Sequence, residues 1–207
     1  MKRTVVFVLS AATFVLALTI SGEMTFDRTR LGLNERNSMT VVSLERLTST
    51  WEVGAPSLPI AIAQFVVPPD MRVIGLTVQE LESDTLGTYN VYPVQPAMTV
   101  SDAESPGYVP PDAKYYEQPY PGSVVTTGHQ GSMFGYNIAS VFVAPVQYHG
   151  ADRSLVFHPR IRFALELEPF DLGYLHPGNR NAEARRRIEN LLSRLVMNPA
   201  DLSRWAP

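Results

Sequence analysis

The stretch that decides the fold is RSLVFHPRIRFALELE, residues 153–168. Six of its odd-numbered positions carry apolar side chains, namely Leu155, Phe157, Ile161, Phe163, Leu165 and Leu167. The even-numbered positions carry the polar ones, namely His158, Arg160, Arg162, Glu166 and Glu168. This period of two predicts one long antiparallel strand with one face on a core and the other in water. Because ordering its backbone costs more than one buried face returns, the strand needs a facing sheet.

The sequence on both sides of this stretch contains further strand signals. Residues 136–148 are apolar on both faces, as in a central strand, and residues 149–152 form the turn into the long strand. Shorter strands are predicted at residues 38–45, 60–67, 71–82, 88–92 and 123–127. Many short strands between turn residues predict a mainly β fold, an antiparallel β-sandwich of the jelly-roll or Greek-key type.

One helix is predicted near the C-terminus, over residues 181–196. Its apolar residues follow helical spacing, and Asn181 is a suitable N-cap. The Arg185 to Arg187 run is either a solvated helix surface or a protease cleavage site. The candidate processing positions are Arg187, Arg194 and Arg204.

The N-terminus has the pattern of an export signal. Lys2 and Arg3 precede an apolar run over residues 4–20, which ends in the small residues Ser21 and Gly22. This order predicts a cleaved signal peptide over residues 1–22, and a retained membrane anchor is the competing interpretation. The expected domains are then the signal peptide, a β-sandwich over 23–172, and a linker, helix and tail over 173–207. The expected destination is the periplasm, the cell envelope or the medium.

Composition excludes several classes of function. The chain has 207 residues, no cysteine, and 17 basic against 20 acidic residues. It therefore has no disulfide, no thiolate metal site and no cysteine nucleophile, and its slight acidity argues against nucleic-acid binding. The four histidines lack the spacing of a metal site, and no cofactor-binding motif is present, so neither a metal nor a cofactor is expected. Ser132 beside His129 leaves an unrecognised hydrolase as a remote alternative.

Two loops are candidates for binding a partner. The first is GHQGSMFG, residues 128–135, which is either a flexible hairpin tip or a loop presented to a groove of a partner. The second is the segment of residues 95–122, which is rich in proline and tyrosine. It is either a strap whose tyrosines lie on the sandwich or an aromatic platform for a ligand.

The order of several short motifs resembles the N-terminal propeptide of gingipain-like secreted cysteine peptidases. The motifs are GAPSLP at 54–59, YPVQP at 92–96, YPG at 120–122, PVQY at 145–148 and VMNP at 196–199. The resemblance implies a β-sandwich that assists folding of a peptidase domain and keeps it latent with a loop placed across the active-site cleft. The implied partner is that cognate catalytic domain.

The same resemblance implies which residues inhibit. By position they are His129, Gln130, Ser132, Met133 and Phe134. Arginine-specific members offer a basic residue, but this chain has no lysine or arginine between Gly122 and His149, so Met133, with Phe134, would fill the cleft. Without a cysteine, the peptidase activity of the family does not carry over to this chain. The alternative function is an exported adhesion or carbohydrate-binding module that uses the tyrosine-rich segment.

Overall fold

The computed structural model describes residues 18–97, 107–171, 173 and 181–206. These residues contain thirteen strands, which are β1 (Leu18–Thr25), β2 (Leu31–Arg36), β3 (Met39–Leu44), β4 (Thr48–Ser49), β5 (Pro59–Val67), β6 (Met71–Leu81), β7 (Asp84–Thr88), β8 (Pro119–Tyr120), β9 (Val125–Met133), β10 (Tyr136–Val143), β11 (Val146–His149), β12 (Ser154–Phe157) and β13 (Arg160–Pro169). The helices are α1 (Ala113–Tyr116) and α2 (Ala182–Leu192), with 3-10 turns at Arg28–Arg30 and Pro199–Asp201.

The strands form three antiparallel sheets and one two-stranded ribbon. The first sheet has the order β1-β13-β6, the second β4-β5-β10-β9 and the third β7-β12-β11-β8, while the ribbon is β2-β3. The first and second sheets enclose one apolar cluster, in which the Phe65 and Phe163 rings meet edge to face at 5.9 Å. The ribbon and the third sheet enclose another cluster around Phe157 and Tyr148. The predicted mainly β sandwich is confirmed.

The decisive stretch is divided between two sheets, so the prediction of one continuous strand is wrong. Pro159 separates β12, in the third sheet, from β13, in the first. Pro145 divides the predicted strand over 136–148 in the same way, into β10 and β11. A proline has no N–H to continue a ladder. The amide of His158 donates to the Pro145 carbonyl at 2.8 Å. On the far side of this hydrogen bond the two segments separate, because β10 belongs to the second sheet and β13 to the first.

Burial follows the predicted alternation except at His158 and Ala164, which occupy even-numbered positions and are buried. All six apolar odd positions are at most 2 % exposed, namely Leu155, Phe157, Ile161, Phe163, Leu165 and Leu167. Arg160, Arg162 and Glu166 keep part of their surface in water. His158 was expected on the solvent side and is instead 2 % exposed, because it occupies the point where the two sheets separate.

Several element boundaries differ from the prediction. The strand predicted at 88–92 is found earlier, as β7, and the strand predicted at 123–127 runs on to Met133 as β9. Three strands were not predicted, because their sequences alternate too little between apolar and polar residues. They are β2, β4 and β8. Strand β1 begins at Leu18, inside the expected signal peptide over 1–22, and residues 1–17 lie outside the described ranges.

The C-terminal helix is shorter than predicted. It ends at Leu192, and Asn181 is its N-cap as expected, with the Asn181 side chain accepting from the Ala184 amide at 2.8 Å. The chain then turns back to the second sheet, where Val196 and Leu202 are buried. In the described part of the chain, no helix combines the length and apolar character needed to cross a bilayer.

Candidate functional site

The expected inhibitory loop is a β-hairpin. Residues 128–133 belong to β9, and only Phe134 and Gly135 form the turn into β10. Both have positive φ, 53° and 82°, as required at the two central positions of a tight hairpin turn whose twist matches its strands. A positive φ is unusual for a bulky residue such as phenylalanine. Residues 128–135, which were predicted as a hairpin tip or a presented loop, thus form the end of a hairpin with a two-residue tip.

Gln130 anchors this hairpin to the body of the sandwich. Its Oε1 accepts from the Val73 amide at 2.9 Å, and its Nε2 donates to the Met71 carbonyl at 3.0 Å. The same Nε2 donates to Oδ1 of the buried Asn137 at 3.0 Å, and Asn137 donates in turn to the Pro68 carbonyl at 2.8 Å. The Gln130 side chain is thus occupied within the chain itself, where it orients β9.

The tip and the outer side of β9 are the accessible part of the hairpin. His129 and Ser132 are exposed, and Phe134 at the turn is 45% exposed. Met133 is half-buried against the apolar cluster beneath α2. Strand β9 is the last strand of its sheet, so its outer edge pairs with no described strand. Beside it lies a depression of about 210 Å³, lined by Gln64, His129, Gly131, Ser132, Met133, Ile138 and Ser140.

Helix α2 packs across the base of the hairpin. Leu192 is fully buried against Val66, Tyr136 and Ile138 on the outer face of the second sheet. The Tyr136 hydroxyl lies 3.3 Å from a Glu189 carboxylate oxygen. The hairpin is therefore fixed from two sides, by α2 on the outer face and by the Gln130 contacts at the corner between β5 and β6.

The segment after α2 covers the edge of β5 that lies beyond the short strand β4. The Asn198 side chain binds both backbone groups of Val66. Its Oδ1 accepts from the Val66 N–H, and its Nδ2 donates to the Val66 carbonyl, each at 2.9 Å. The Met197 amide donates to the Gln64 carbonyl at 2.7 Å. This role of Asn198 was missed because the sequence marks Asn198-Pro199 only as the end of a helix. A covered edge also prevents unwanted strand pairing.

The three candidate processing residues have different surroundings. Arg187 lies within α2 and is paired with Glu183. Arg194 lies between α2 and the segment that grips β5, and its amide bonds the Leu191 carbonyl at 3.3 Å. Arg204 lies after Leu202, with its guanidinium 5.8 Å from the Trp205 ring centroid. A cut after Arg204 leaves the β5 contacts attached to the sandwich, whereas a cut after Arg194 separates them from α2.

The described part of the tyrosine-rich segment lies on the sandwich. The Tyr116 hydroxyl donates to the Val91 carbonyl at 2.7 Å, and the Tyr116 ring meets Tyr148 at 5.4 Å. Burial raises the pKa of the Tyr116 hydroxyl well above its ordinary value. The Tyr120 hydroxyl donates to Glu52 at 2.6 Å. These partly buried rings pack against an apolar cluster of the core, as expected of a strap, and residues 98–106 of the segment lie outside the described ranges.

The other chemical candidates do not form a site in the described residues. His129 and Ser132 both line the depression beside β9, but no hydrogen bond joins their side chains among the described residues. In the described ranges, no group of three or more histidine, aspartate or glutamate side chains is arranged to hold a metal.

Comparison with known proteins assigns the chain to a family. Residues 19–173 match the model of the Propeptide_C25 family. The chain belongs to this propeptide family. The match confirms the resemblance to the gingipain-like propeptide and supports a propeptide role for residues 19–173.

The propeptide has relatives among the gingipains. Over 133 residues it is 31% identical to Lys-gingipain of Porphyromonas gingivalis, a stretch that covers 61% of this chain and 8% of that protein. Lys-gingipain HG66 of the same organism is 30% identical over 133 residues. The propeptide thus spans less than a tenth of the length of these relatives.

Two solved structures have a similar fold. The first is the complex of Porphyromonas gingivalis RgpB pro- and mature domains, with a TM-score of 0.69, 17% identity, and coverage of 88% of this chain and 93% of that chain. The second is a structure of gingipain K from the same organism that addresses its zymogenic latency, with a TM-score of 0.59, 21% identity, and coverage of 73% and 87%. At these identities the likeness shows the fold of the propeptide.

Proposed function

We propose that this propeptide keeps a secreted cysteine peptidase latent by placing the tip of the β9–β10 hairpin in its active-site cleft. Family membership supports a pro-part, and the RgpB relative was solved as a complex of pro- and mature domains. The observation that carries the proposal is the hairpin itself. It ends in Met133 and Phe134 and is held from two sides by the Gln130 contacts and by α2.

The rigidity of the hairpin makes it suitable for inhibition. Binding costs less when the contact residues are already ordered, since little conformational freedom is lost on docking. When inhibitor and peptidase share one chain, the effective concentration of the hairpin at the cleft is high, so modest contacts suffice for occlusion. After proteolytic separation that advantage disappears, and the peptidase becomes active.

The tip also indicates what the cleft must accept. Between Gly122 and His149 the chain has no lysine or arginine, so no basic side chain of the hairpin can occupy a specificity pocket. Met133 and Phe134 offer a thioether and an aromatic ring, which favour an apolar pocket through buried area and sulfur–aromatic contacts. The partner that fits this hairpin is therefore a cysteine peptidase that accepts apolar rather than basic residues.

The test is inhibition of the cognate peptidase domain by the purified propeptide. We expect Met133→Asp and Phe134→Asp each to weaken inhibition by about 1 kcal/mol or more, roughly fivefold in the inhibition constant, because a carboxylate would be desolvated in the cleft. Thr127→Asp is the matched control, since Thr127 is exposed on the same strand and far from the tip. Inhibition unchanged in both tip variants while their urea unfolding stays normal would reject the hairpin as the inhibitory element.

We further propose that the propeptide assists folding of its peptidase and that processing occurs at Arg204. A prefolded sandwich offers the peptidase domain a fixed surface on which to order, and the yield of active peptidase on refolding with and without the propeptide measures that effect. Arg204 is favoured among the three candidates because a cut there preserves the Asn198 contacts to β5. Secretion of the complex follows from the expected export signal.

A further inference from the structure

The depression on the outer face of the second sheet lies between α2 and an aromatic pair. In the pairing of β10 with β5, Ser140 lies opposite Gln64, and both side chains line the depression. Phe142 lies opposite Ile62 in the next row of outward-facing residues. Side chains that follow one another on one face of a strand are about 7 Å apart. The Phe142 row therefore borders the depression on the side away from α2.

An exposed indole stands beside this second row. The Trp51 ring lies 5.0 Å from the Phe142 ring, and 53% of Trp51 remains exposed. Gly128 makes room for Phe142, because a Cβ at Gly128 would stand 2.9 Å from the Phe142 ring. An aromatic ring that stays open to solvent beside a depression can stack on the apolar face of a ligand.

Four polar side chains line the depression and are free to bind a ligand. They belong to Gln64, His129, Ser132 and Ser140. In the part of the chain that the structure describes, none of these four side chains makes a hydrogen bond. Together they offer an amide, an imidazole and two hydroxyls, which both donate and accept. No aspartate, glutamate, lysine or arginine lines the depression, so it favours a neutral ligand with many hydroxyl groups.

A β-bulge brings His129 to the depression. The register of β9 and β10 shifts between Ala139 and Val141, so that Gly128 and His129 together oppose the single residue Ser140. A Cβ at Gly131 would stand 2.8 Å from Nε2 of His129, so the imidazole lies close to the strand backbone. Bulges of this kind re-aim side chains and are frequent next to active sites. Here the bulge adds an imidazole to the rim of the depression.

We propose that this depression and the Trp51 ring form a binding site for a neutral saccharide. One pyranose ring stacks its C–H face on the indole, and the next enters the depression and exchanges hydrogen bonds with Gln64 and Ser140. The volume of about 210 Å³ is below the roughly 300–1,000 Å³ of sites for drug-sized ligands, so the depression takes one sugar ring. The site is separate from the tyrosine-rich segment, and it does not depend on the inhibitory role of the hairpin.

The test is a titration of the purified full chain with neutral disaccharides, followed by NMR. The probes are maltose, cellobiose, lactose, mannobiose and N,N′-diacetylchitobiose. We expect at least one of them to bind in the millimolar range and to shift the indole resonance of Trp51 and the amide resonances around Ser140. No shift with any of the five would overturn the proposal. A shift caused by the peptidase domain alone, and by no saccharide, would also overturn it, because this face would then be a protein–protein interface.

Three variants locate the bound sugar. Trp51→Ala and Gln64→Ala should each weaken disaccharide binding at least about fivefold, because the first removes the stacking surface and the second removes a hydrogen-bonding group. Tyr108→Ala is the matched control, since Tyr108 is equally exposed, at 52%, but lies in the tyrosine-rich segment. Its affinity should not change. Unchanged affinity in both Trp51→Ala and Gln64→Ala, or a loss in Tyr108→Ala alone, would place the sugar elsewhere and contradict the assignment. Urea unfolding verifies that each variant is folded.

Discussion

The two outer faces of the sandwich differ in kind. On the first sheet, charged side chains of β1, β6 and β13 form a ladder in which Arg162 meets Glu23 at 2.7 Å and Glu80 at 2.8 Å. On the second sheet, Val66, Tyr136 and Ile138 are apolar and lie beneath α2. The charged side chains of the first sheet pair with one another and with water. The apolar side chains of the second sheet need a covering element, which is α2.

The cover of the second sheet is incomplete. Beyond α2, Ile62 is 54% exposed opposite Phe142 in the register, and the Phe142 ring meets Trp51 at 5.0 Å. The first sheet also exposes apolar side chains, with Ile74 at 53% and Leu81 at 41% on β6, but its described strands expose no aromatic ring. Its charged ladder is paired internally, and hydrogen bonds from Arg160 and Arg162 lower the pKa of the Glu23 carboxyl. The comparison teaches that the second sheet depends on apolar packing against α2, while the ladder of the first sheet consists of hydrated ion pairs.

The strongest test of this contrast is the contact between α2 and the second sheet. Leu192→Ala should lower the free energy of unfolding by about 2–4 kcal/mol, since it removes a fully buried side chain and leaves a cavity. Leu191→Ala is the control on the same helix, because Leu191 is 46% exposed, and its effect should stay within about 0.5 kcal/mol. Urea unfolding followed by circular dichroism measures both, and equal losses would show that α2 is not docked as described.

Much of the fold could be predicted from local pattern. The alternation around Phe163 identified the buried positions of β13, and the strands predicted at 60–67 and 71–82 correspond to β5 and β6. The division of the long strand was missed even though Pro159 is visible in it, because the period of two continues on both sides of the proline. Strand β1 was missed because its apolar residues read equally well as the end of a leader.

The candidate site could be predicted only in part. Met133 and Phe134 between glycines mark a tip, and the resemblance gave the tip its expected role. The anchoring of Gln130 could not be found, because its partners Val73 and Met71 are 57 and 59 residues away in the chain. Contacts at such separations depend on which sheets face each other, and a single sequence does not specify that.

A second prediction concerns His158, which among the described residues is the one buried histidine and lies at the edge of the charged face. His158 Nδ1 lies 3.2 Å from the Glu82 carbonyl and 3.0 Å from Ser83 Oγ, and Nε2 is buried with no partner among the described residues. Because the carbonyl only accepts, Nδ1 carries a proton, and the buried Nε2 without a partner favours the neutral over the charged ring. Burial lowers the pKa of His158 below its ordinary 6.5, as does the more distant His149 to a smaller extent.

The folded state therefore binds a proton at His158 less readily than the unfolded chain does. Stability is complete above about pH 6.5 and falls as the pH drops toward the folded-state pKa, with a slope of up to about 1.4 kcal/mol per pH unit. The lowered pKa of Glu23 acts in the same direction only below its ordinary 4.5. Urea unfolding between pH 7.5 and 5.0 isolates the histidine.

The slope in this window should be largely absent in His158→Asn, whose amide can still donate to the Glu82 carbonyl. It should persist in His129→Asn, which alters an exposed histidine. If the unfolding free energy of His158→Asn still falls with pH in this window, the acid sensitivity belongs to another group. Protonation of His158 would then not affect the stability of the charged side of the molecule.

The smallest effect is expected on the charged ladder itself. Arg162→Gln removes the ion pairs to Glu23 and Glu80, but exposed pairs contribute little because water and salt screen them. The melting temperature should fall by less than about 3 °C at low salt, and the difference from the parent protein should nearly vanish in about 1 M salt. Differential scanning calorimetry at both salt concentrations measures this. A large fall in melting temperature that does not depend on salt would mean that the ion pairs stabilise the first sheet about as much as α2 stabilises the second. The two outer faces would then not differ in the way described.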